Sequence, residues 1–393
     1  MSLAVSNRVQ RVKPSPTLTV SALAADLRAQ GRDVIGLGAG EPDFDTPDHI
    51  KAAGIKAIQD GQTKYTNVDG TPALKAAIAD KFKRDNNLDY APEQILVSSG
   101  AKQTCYNVCA AVLNPGDEAV IPAPYWVSYP DMVKLADGEP VIVSANIEDG
   151  FKISPRALAA AITDRTRLVF LNSPSNPTGA AYTRAELAAL GEVLMQHPGV
   201  VVATDDMYEH IYWADDPFTS LVDACPGLFD QTVTINGVSK CYAMTGWRIG
   251  YCGGPAEIIK AMKKIQGQST SNPCSVSQAA SLAALSGDQS CIAEMTTAFK
   301  ARHDYLVGAL NDIAGFQCAP GAGTFYAFPN VSAAIEAKGL ADDGALCELL
   351  LNEAEVAVVP GSAFGAPGYI RLSFATSLDV LQEAVARIRR VLA

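Results

Sequence analysis

Short runs of apolar and β-branched residues alternate with Ala-rich stretches through the middle of the chain, the pattern expected of a mostly parallel sheet with helices on its faces. Seven runs read as strands of one sheet: "QILVS" (94–98), "EAVIP" (118–122), "EPVIVS" (139–144), "RLVFLN" (167–172), "VVVAT" (200–204), "TVTIN" (232–236) and "WRIGYC" (247–252). Helical spacing predicts helices around 155–163 and 183–196, and another through "YNVCAAVL" after the first strand. The stretch "TPALKAAIADKFKRDN" (71–86) has Thr71 placed as an N-cap and Pro72 at the first helical position. Beyond residue 255 the texture shifts to long helices, with "GTFYAF" (323–328), "VAVVP" (356–360) and "YIRLSF" (369–374) as short strands. The expected fold class is α/β. A large domain over 46–296 carries the mostly parallel seven-stranded sheet, and a smaller α+β domain is made by 1–45 together with 297–393. No repeat and no low-complexity segment interrupts this pattern.

Composition narrows the class. Hydrophobic residues make up 48% of the 393 positions and charged residues 19%, which describes a folded globular protein rather than a disordered one. No apolar run is long enough to span a bilayer, and the N-terminus lacks an apolar h-region before a cleavage site, so a cytoplasmic location and no membrane partner are expected. A net charge of −11 without any Lys/Arg cluster argues against a nucleic-acid partner. Nine cysteines are scattered and never spaced C-x-x-C, and the four histidines are equally dispersed. They read as reduced and buried residues, with no disulfide framework and no metal site.

Candidate chemistry gathers after the strands, because ligands of open α/β sheets bind at the strands' carboxyl ends. After "QILVS" come Ser99, Gly100, Ala101 and Lys102 at a helix start, where small residues let backbone N–H groups approach an anion such as a phosphate. After "RLVFLN" comes "SPSNPTG" with Asn176, and after "VVVAT" come Asp205, Asp206 and Tyr208. After "TVTIN" comes Lys240, in "TINGVSKCYAMTGWRIGY" (234–251), a stretch without a single acid. Each alone is ordinary: a structural turn, a turn-forming asparagine, a helix cap, a solvated lysine. Together they suit pyridoxal phosphate, with the phosphate on the helix start, the ring nitrogen on an aspartate and the aldehyde on a lysine whose amine is kept away from carboxylates.

The motifs "SPSNPTG", "DDMYEH" and "SKCYAMTGWRIGY", in this order and at these separations, resemble the class I and II aminotransferases of the fold-type-I pyridoxal-phosphate family. The similarity is to the bacterial aspartate aminotransferase branch that includes prephenate aminotransferases. It runs from "KPSPT" and "GAGEPDFDTP" through "KYTNVDGTPALKAAI" and "PYWVSYP" to "VAVVPGSAFG" and "YIRLSFATS". The resemblance implies that Lys240 forms the Schiff base and shuttles the proton, that Asp205 partners the pyridine nitrogen, and that Asn176 and Tyr208 bond the ring oxygen. It implies further that Trp126 stacks on the ring and that Gly100, Ala101, Ser239 and Arg248 contact the phosphate. Tyr65 resembles the tyrosine that reaches the phosphate from a neighbouring subunit, which implies a homodimer with shared sites. Arg371 resembles the arginine that grips the substrate α-carboxylate, a role that suits a bidentate fork, and Gly40 the glycine lying against the same carboxylate. Many relatives have a serine three residues before the lysine; here Gly237 stands there, and a backbone N–H is expected to replace that hydroxyl contact.

Substrate choice rests on fewer residues. Where well-known aspartate aminotransferases carry an arginine for the side-chain carboxylate, "STSNP" has Thr270. In this branch the resemblance implies that Lys102, helped by Thr17 of "KPSPT", meets the distal carboxylate instead. The expected activity is amino-group transfer between aspartate or glutamate and 2-oxo acids by a ping-pong mechanism, with prephenate and aromatic 2-oxo acids open as acceptors. A lyase or synthase on the same cofactor site remains an alternative. A cofactor-sensing regulator would need a DNA-binding extension for which the N-terminus has no room. A nicotinamide oxidoreductase is disfavoured because "GLGAG" (36–40) lacks the third glycine of G-x-G-x-x-G and runs into "EPDF".

Overall fold

The computed structural model describes residues 3–393, so positions 1 and 2 of the segment 1–45 lie outside the described residues. In chain order the strands are β1 (Ile35–Gly36), β2 (Ile95–Ser98), β3 (Glu118–Ala123), β4 (Glu139–Ser144), β5 (Thr166–Asn172), β6 (Val201–Asp205), β7 (Thr232–Gly237), β8 (Gly250–Gly253), β9 (Tyr326–Ala327), β10 (Val356–Ala357), β11 (Val359–Pro360) and β12 (Ile370–Ser373). Seven of them form the large sheet in the order β2-β8-β7-β6-β5-β3-β4, and every pairing is parallel except those of β8. The interior strands β6 and β7 are buried on both faces, which is why they read as near-continuous apolar runs.

Helices cover the faces, and one begins at the cap that the sequence placed. Thr71 Oγ1 accepts the Leu74 N–H at the start of Pro72–Asn86. Thr183 and Glu186 form a reciprocal capping box at the start of Arg184–Leu194. The helix Ala101–Val112 follows β2 directly, entered through Gly100 at φ +89°. One expected strand starts later than its apolar pattern. "WRIGYC" reads as a strand from 247, but β8 begins at Gly250 because Arg248 turns through φ +57° at the sheet edge and leaves the ladder. "GTFYAF" likewise contracts to the two residues of β9, its flanks forming turns against Ile211 and Gly179.

A second core gathers around β9, β11 and β12, an antiparallel sheet in the order β11-β12-β9, with the long helix Ser290–Asn311 and the C-terminal helix Leu378–Leu392 packed on it. Position 296 falls inside that long helix. Strand β1 pairs in parallel with β10, and helix Pro16–Ala29 lies against β10 and β11. Arg8 pairs with Asp137 at 2.5 Å, just beyond helix Tyr129–Leu135, and Arg11 binds the same carboxylate. No helix among the described residues is long and apolar enough to cross a membrane.

Candidate active site

The carboxyl ends of β2, β3, β5, β6 and β7 open into one cavity of about 640 Å³, closed on its far side by β9, β12 and the start of helix Pro16–Ala29. All the residues to which the resemblance gives a cofactor or substrate role line it except two. Gly100 lies just behind the lining, against the Arg248 side chain. Tyr65 is elsewhere, 92% exposed on the surface.

Lys240 stands at the end of β7 with its Nζ donating to the Gly40 carbonyl at 2.5 Å and 5.9 Å above the Phe325 ring. Among the described residues no carboxylate forms an ion pair with it. Burial pulls its pKa down to about 8; Glu41 pulls the other way, while Arg371 and Arg248 add to the depression. Near pH 7 roughly one in ten of these amines is then unprotonated, against fewer than about one in a thousand for an ordinary lysine.

Asp205 closes β6 from below. Its Oδ2 accepts the Tyr129 O–H at 2.6 Å, and its Oδ1 the Met207 N–H at 3.3 Å. Burial raises its pKa, opposed by those two bonds and by Lys240. Asn172, the last residue of β5, donates to the Asp205 carbonyl at 2.7 Å and accepts the Asn176 N–H at 2.8 Å, so one side chain links two neighbouring strand ends. Tyr208 and Tyr326 share a hydrogen bond of 2.9 Å between their hydroxyls.

Arg371, on β12, is 2% exposed and lies between the rings of Tyr326 and Phe364, 4.4 and 4.9 Å from their centroids. Its Nη1 donates to Asn176 Oδ1 at 2.9 Å and its Nη2 to the Gly38 carbonyl at 2.7 Å, while Nε has no partner. Burial lowers its pKa; the facing Tyr326 and Tyr208 resist that shift. A buried guanidinium bonded only to neutral groups is a poised anion receptor, because bringing a carboxylate restores the solvation that burial removed.

At the opposite end, Gly100, Ala101, Ser239 and Arg248 converge at the N-terminus of helix Ala101–Val112, whose dipole favours an anion. Only glycine fits at position 100: a Cβ there would lie 2.3 Å from Arg248 Nη2, on a backbone at φ +89°. Lys102 stands over the Trp126 ring at 5.0 Å, and burial with help from Arg248 lowers its pKa. Thr17, in the first turn of its helix, faces the same cavity. Lys102, Lys240, Arg248 and Arg371 thus bring positive charge to a cavity in which the acids are Asp205 and Glu41, within a chain whose net charge is −11.

At position 237 the Gly237 N–H is donated to Asn236 Oδ1 at 2.7 Å, so a backbone N–H standing in for the serine hydroxyl would come from another residue. A side chain there would also collide with Met207 Cε at 2.9 Å and the Gly250 backbone at 3.1 Å. Sequence reasoning missed Tyr326, Tyr129, Asn172 and Glu41. Asn172 could have been found, since it ends a strand; Tyr326 and Tyr129 sit in aromatic stretches that read as core.

Three kinds of likeness bear on this geometry. The family described as aminotransferase class I and II matches residues 32–388. The chain is 58% identical to an aspartate/prephenate aminotransferase of Nitrosomonas europaea, over 99% of each chain, and 57% identical to one of Cereibacter sphaeroides, over 98% of each. Its fold matches the crystal structure of an aspartate aminotransferase from Rhizobium meliloti with a TM-score of 0.95 and 48% identity, covering 100% of this chain and 99% of that one. The Thermus thermophilus aspartate aminotransferase solved with maleate matches with a TM-score of 0.93 and 42% identity, over 99% and 100%.

Proposed function

Since the chain belongs to the class I and II aminotransferases and is a pyridoxal-phosphate-dependent transaminase, we propose that it moves the amino group between L-aspartate or L-glutamate and 2-oxo acids, with prephenate among the acceptors. Arg371 carries this reading: a buried, unpaired guanidinium facing Lys240 across a cavity binds an α-carboxylate and holds the adjacent α-carbon in the lysine's reach. Lys102 and Thr17, at the far side, take the second carboxylate of aspartate, glutamate or prephenate. The relatives in Nitrosomonas europaea and Cereibacter sphaeroides bear the name aspartate/prephenate aminotransferase, and the Thermus thermophilus structure holds a dicarboxylate, maleate. These support two-carboxylate substrates over neutral ones.

The residues present fit the cofactor. Gly100, Ala101, Ser239 and Arg248 would hold its phosphate, Asp205 its ring nitrogen, Asn176 and Tyr208 its ring oxygen, Trp126 its face, and Lys240 its aldehyde carbon. When bound, pyridoxal phosphate supplies that aldehyde and an electron-withdrawing ring. Tyr129 fixes the Asp205 carboxylate that would meet the ring nitrogen, and the Tyr208–Tyr326 bond fixes the hydroxyl that would meet the ring oxygen. Lys240 Nζ, neutral in useful fraction because burial brings its pKa to about 8, takes the proton from the substrate α-carbon. Donor and acceptor use the same Arg371 in turn, which requires a ping-pong order.

The working unit is a homodimer in which Tyr65 of one subunit completes the phosphate site of the other, and the chain acts in the cytoplasm. Support for the first is the exposure of Tyr65, at 92%, and of Ile55 and Ile58 on the preceding helix; for the second, nine cysteines that are all unpaired. Residues 46–296 act as the cofactor-holding domain, and 1–45 with 297–393 as the domain that carries Arg371 toward it.

L-aspartate added without any oxo acid to cofactor-loaded protein tests the reading. The visible absorbance should change and oxaloacetate should appear in a ratio of about one per site, with neither seen in Lys240→Ala. A spectrum that ignores L-aspartate but responds to an aromatic amino acid would remove the dicarboxylate assignment.

A further inference from the structure

A buried polar cluster around Lys81 and Glu209 lies outside the cavity. Lys81, on helix Pro72–Asn86, is 1% exposed and pairs through Nζ with the Glu209 carboxylate; it also donates to Asn86 Oδ1 at 2.6 Å. Glu209 accepts from Asn86 Nδ2 at 2.6 Å and from Asn236 Nδ2 at 2.8 Å. Asn236 in turn holds the Gly237 N–H, and the Glu209 N–H donates to the Asp206 carbonyl at 3.0 Å. His210 and Asp85 complete the group, 3.3 Å apart. None of Lys81, Asn86, Glu209 or Asn236 lines the cavity.

Its position is what gives it meaning. Glu209 directly follows Tyr208 and stands four residues after Asp205, while Asn236 lies near the end of β7, on the approach to Lys240. A single carboxylate therefore ties together one helix and the two strand ends that carry the cofactor-facing groups. Stability alone does not account for it: a buried ion pair can generally be exchanged for apolar residues of similar volume at little loss. The cluster is also not a cation site. Asp85, Glu209 and His210 have ligand atoms within 4.8 Å of one another, but the Lys81 ammonium already neutralises Glu209.

We propose that the Lys81–Glu209 pair, with Asn86 and Asn236, is a positioning unit of the transamination site, fixing Tyr208 and the Lys240 segment relative to each other without touching substrate or cofactor. The inference rests on the roles given above to Tyr208 and Lys240. Its consequence is kinetic. A lysine displaced by a fraction of an ångström from the α-carbon proton loses rate steeply, whereas carboxylate binding at Arg371, on another strand, is left alone.

Two variants test it. Lys81→Met/Glu209→Leu removes both charges together, so that neither is left buried without the other, and Asn236→Ala leaves the ion pair intact while cutting its tie to β7. Each is loaded with pyridoxal phosphate, and three quantities are read: the visible circular dichroism of the bound cofactor per occupied site, kcat, and KM for L-aspartate. Both variants should take up cofactor, show a weakened dichroic band, and lose about tenfold in kcat with KM changed less than about twofold. Variants with the native band and native kcat, or with KM raised and kcat unchanged, overturn the proposal. Should the double variant not fold, Asn236→Ala decides the matter by the same readings. If the unsubstituted protein itself shows no visible dichroic band with pyridoxal phosphate, it is the reading of Lys240 that falls, and the two failures are thereby distinguished.

Discussion

At the scale of single residues, the site works by keeping charges uncomfortable. Lys240 has a carbonyl for its partner, not a carboxylate, and its pKa near 8 follows mainly from burial. Only the neutral amine attacks an aldehyde. The rate at which cofactor-free protein takes up pyridoxal phosphate should therefore rise with pH and level off above about 8, in place of climbing toward the ordinary lysine value near 10.5. Stopped-flow absorbance across that range checks this, and a midpoint above about 10 would contradict the burial argument. The lysine was legible in the sequence because an acid-free stretch around a lysine is unusual. Arg371 was legible only through resemblance, since an arginine on a short strand otherwise reads as a surface ion pair. Tyr326 was not legible at all: its value comes from meeting Tyr208 and Arg371 across 118 and 45 positions of chain, which no local pattern encodes.

Among the elements, the junction of β2 with helix Ala101–Val112 and the approach to β8 are coupled. Gly100 takes φ +89° so that Arg248, itself at φ +57°, can lie across it. Gly100→Ala forces both a strained backbone and a displaced guanidinium. We expect the cofactor dissociation constant to rise at least about tenfold, with a loss of about 1–2 kcal/mol in folding stability. Equilibrium dialysis against pyridoxal phosphate and a urea titration of the cofactor-free protein separate the two effects; unchanged cofactor affinity would show that Arg248 does not need the bare backbone. The strands of the large sheet were readable from their apolar runs and the helix starts from their caps, since both are local. The late start of β8 was hidden, because Trp247 and Arg248 continue an apolar-looking run while their backbone serves the cavity edge.

For the whole molecule, Tyr65 sits on a segment that is anchored rather than loose: Gln278 Nε2 donates to Thr66 Oγ1 at 3.1 Å and Gln266 Nε2 to the Val68 carbonyl at 2.7 Å. A 92% exposed tyrosine on an anchored segment suits a contact with a second copy of the chain. Inactive Lys240→Ala protein mixed with weakened Tyr65→Ala protein, under conditions of subunit exchange, should regain activity. Random pairing makes about one site in four wholly native. No recovery after exchange verified by mass would mean that each subunit completes its own site.

The cation-lined cavity also decides how this protein must be handled. On the proposed roles, inorganic phosphate resembles the anion that the helix start and Arg248 would hold, and acetate or citrate the one that Arg371 would hold. In such buffers every apparent affinity is a competition with the medium. Purification in a carboxylate or phosphate buffer thus loads the protein with a weak inhibitor at one end of the cavity or the other, and a sulfonate buffer of low ionic strength reads closer to the intrinsic affinity.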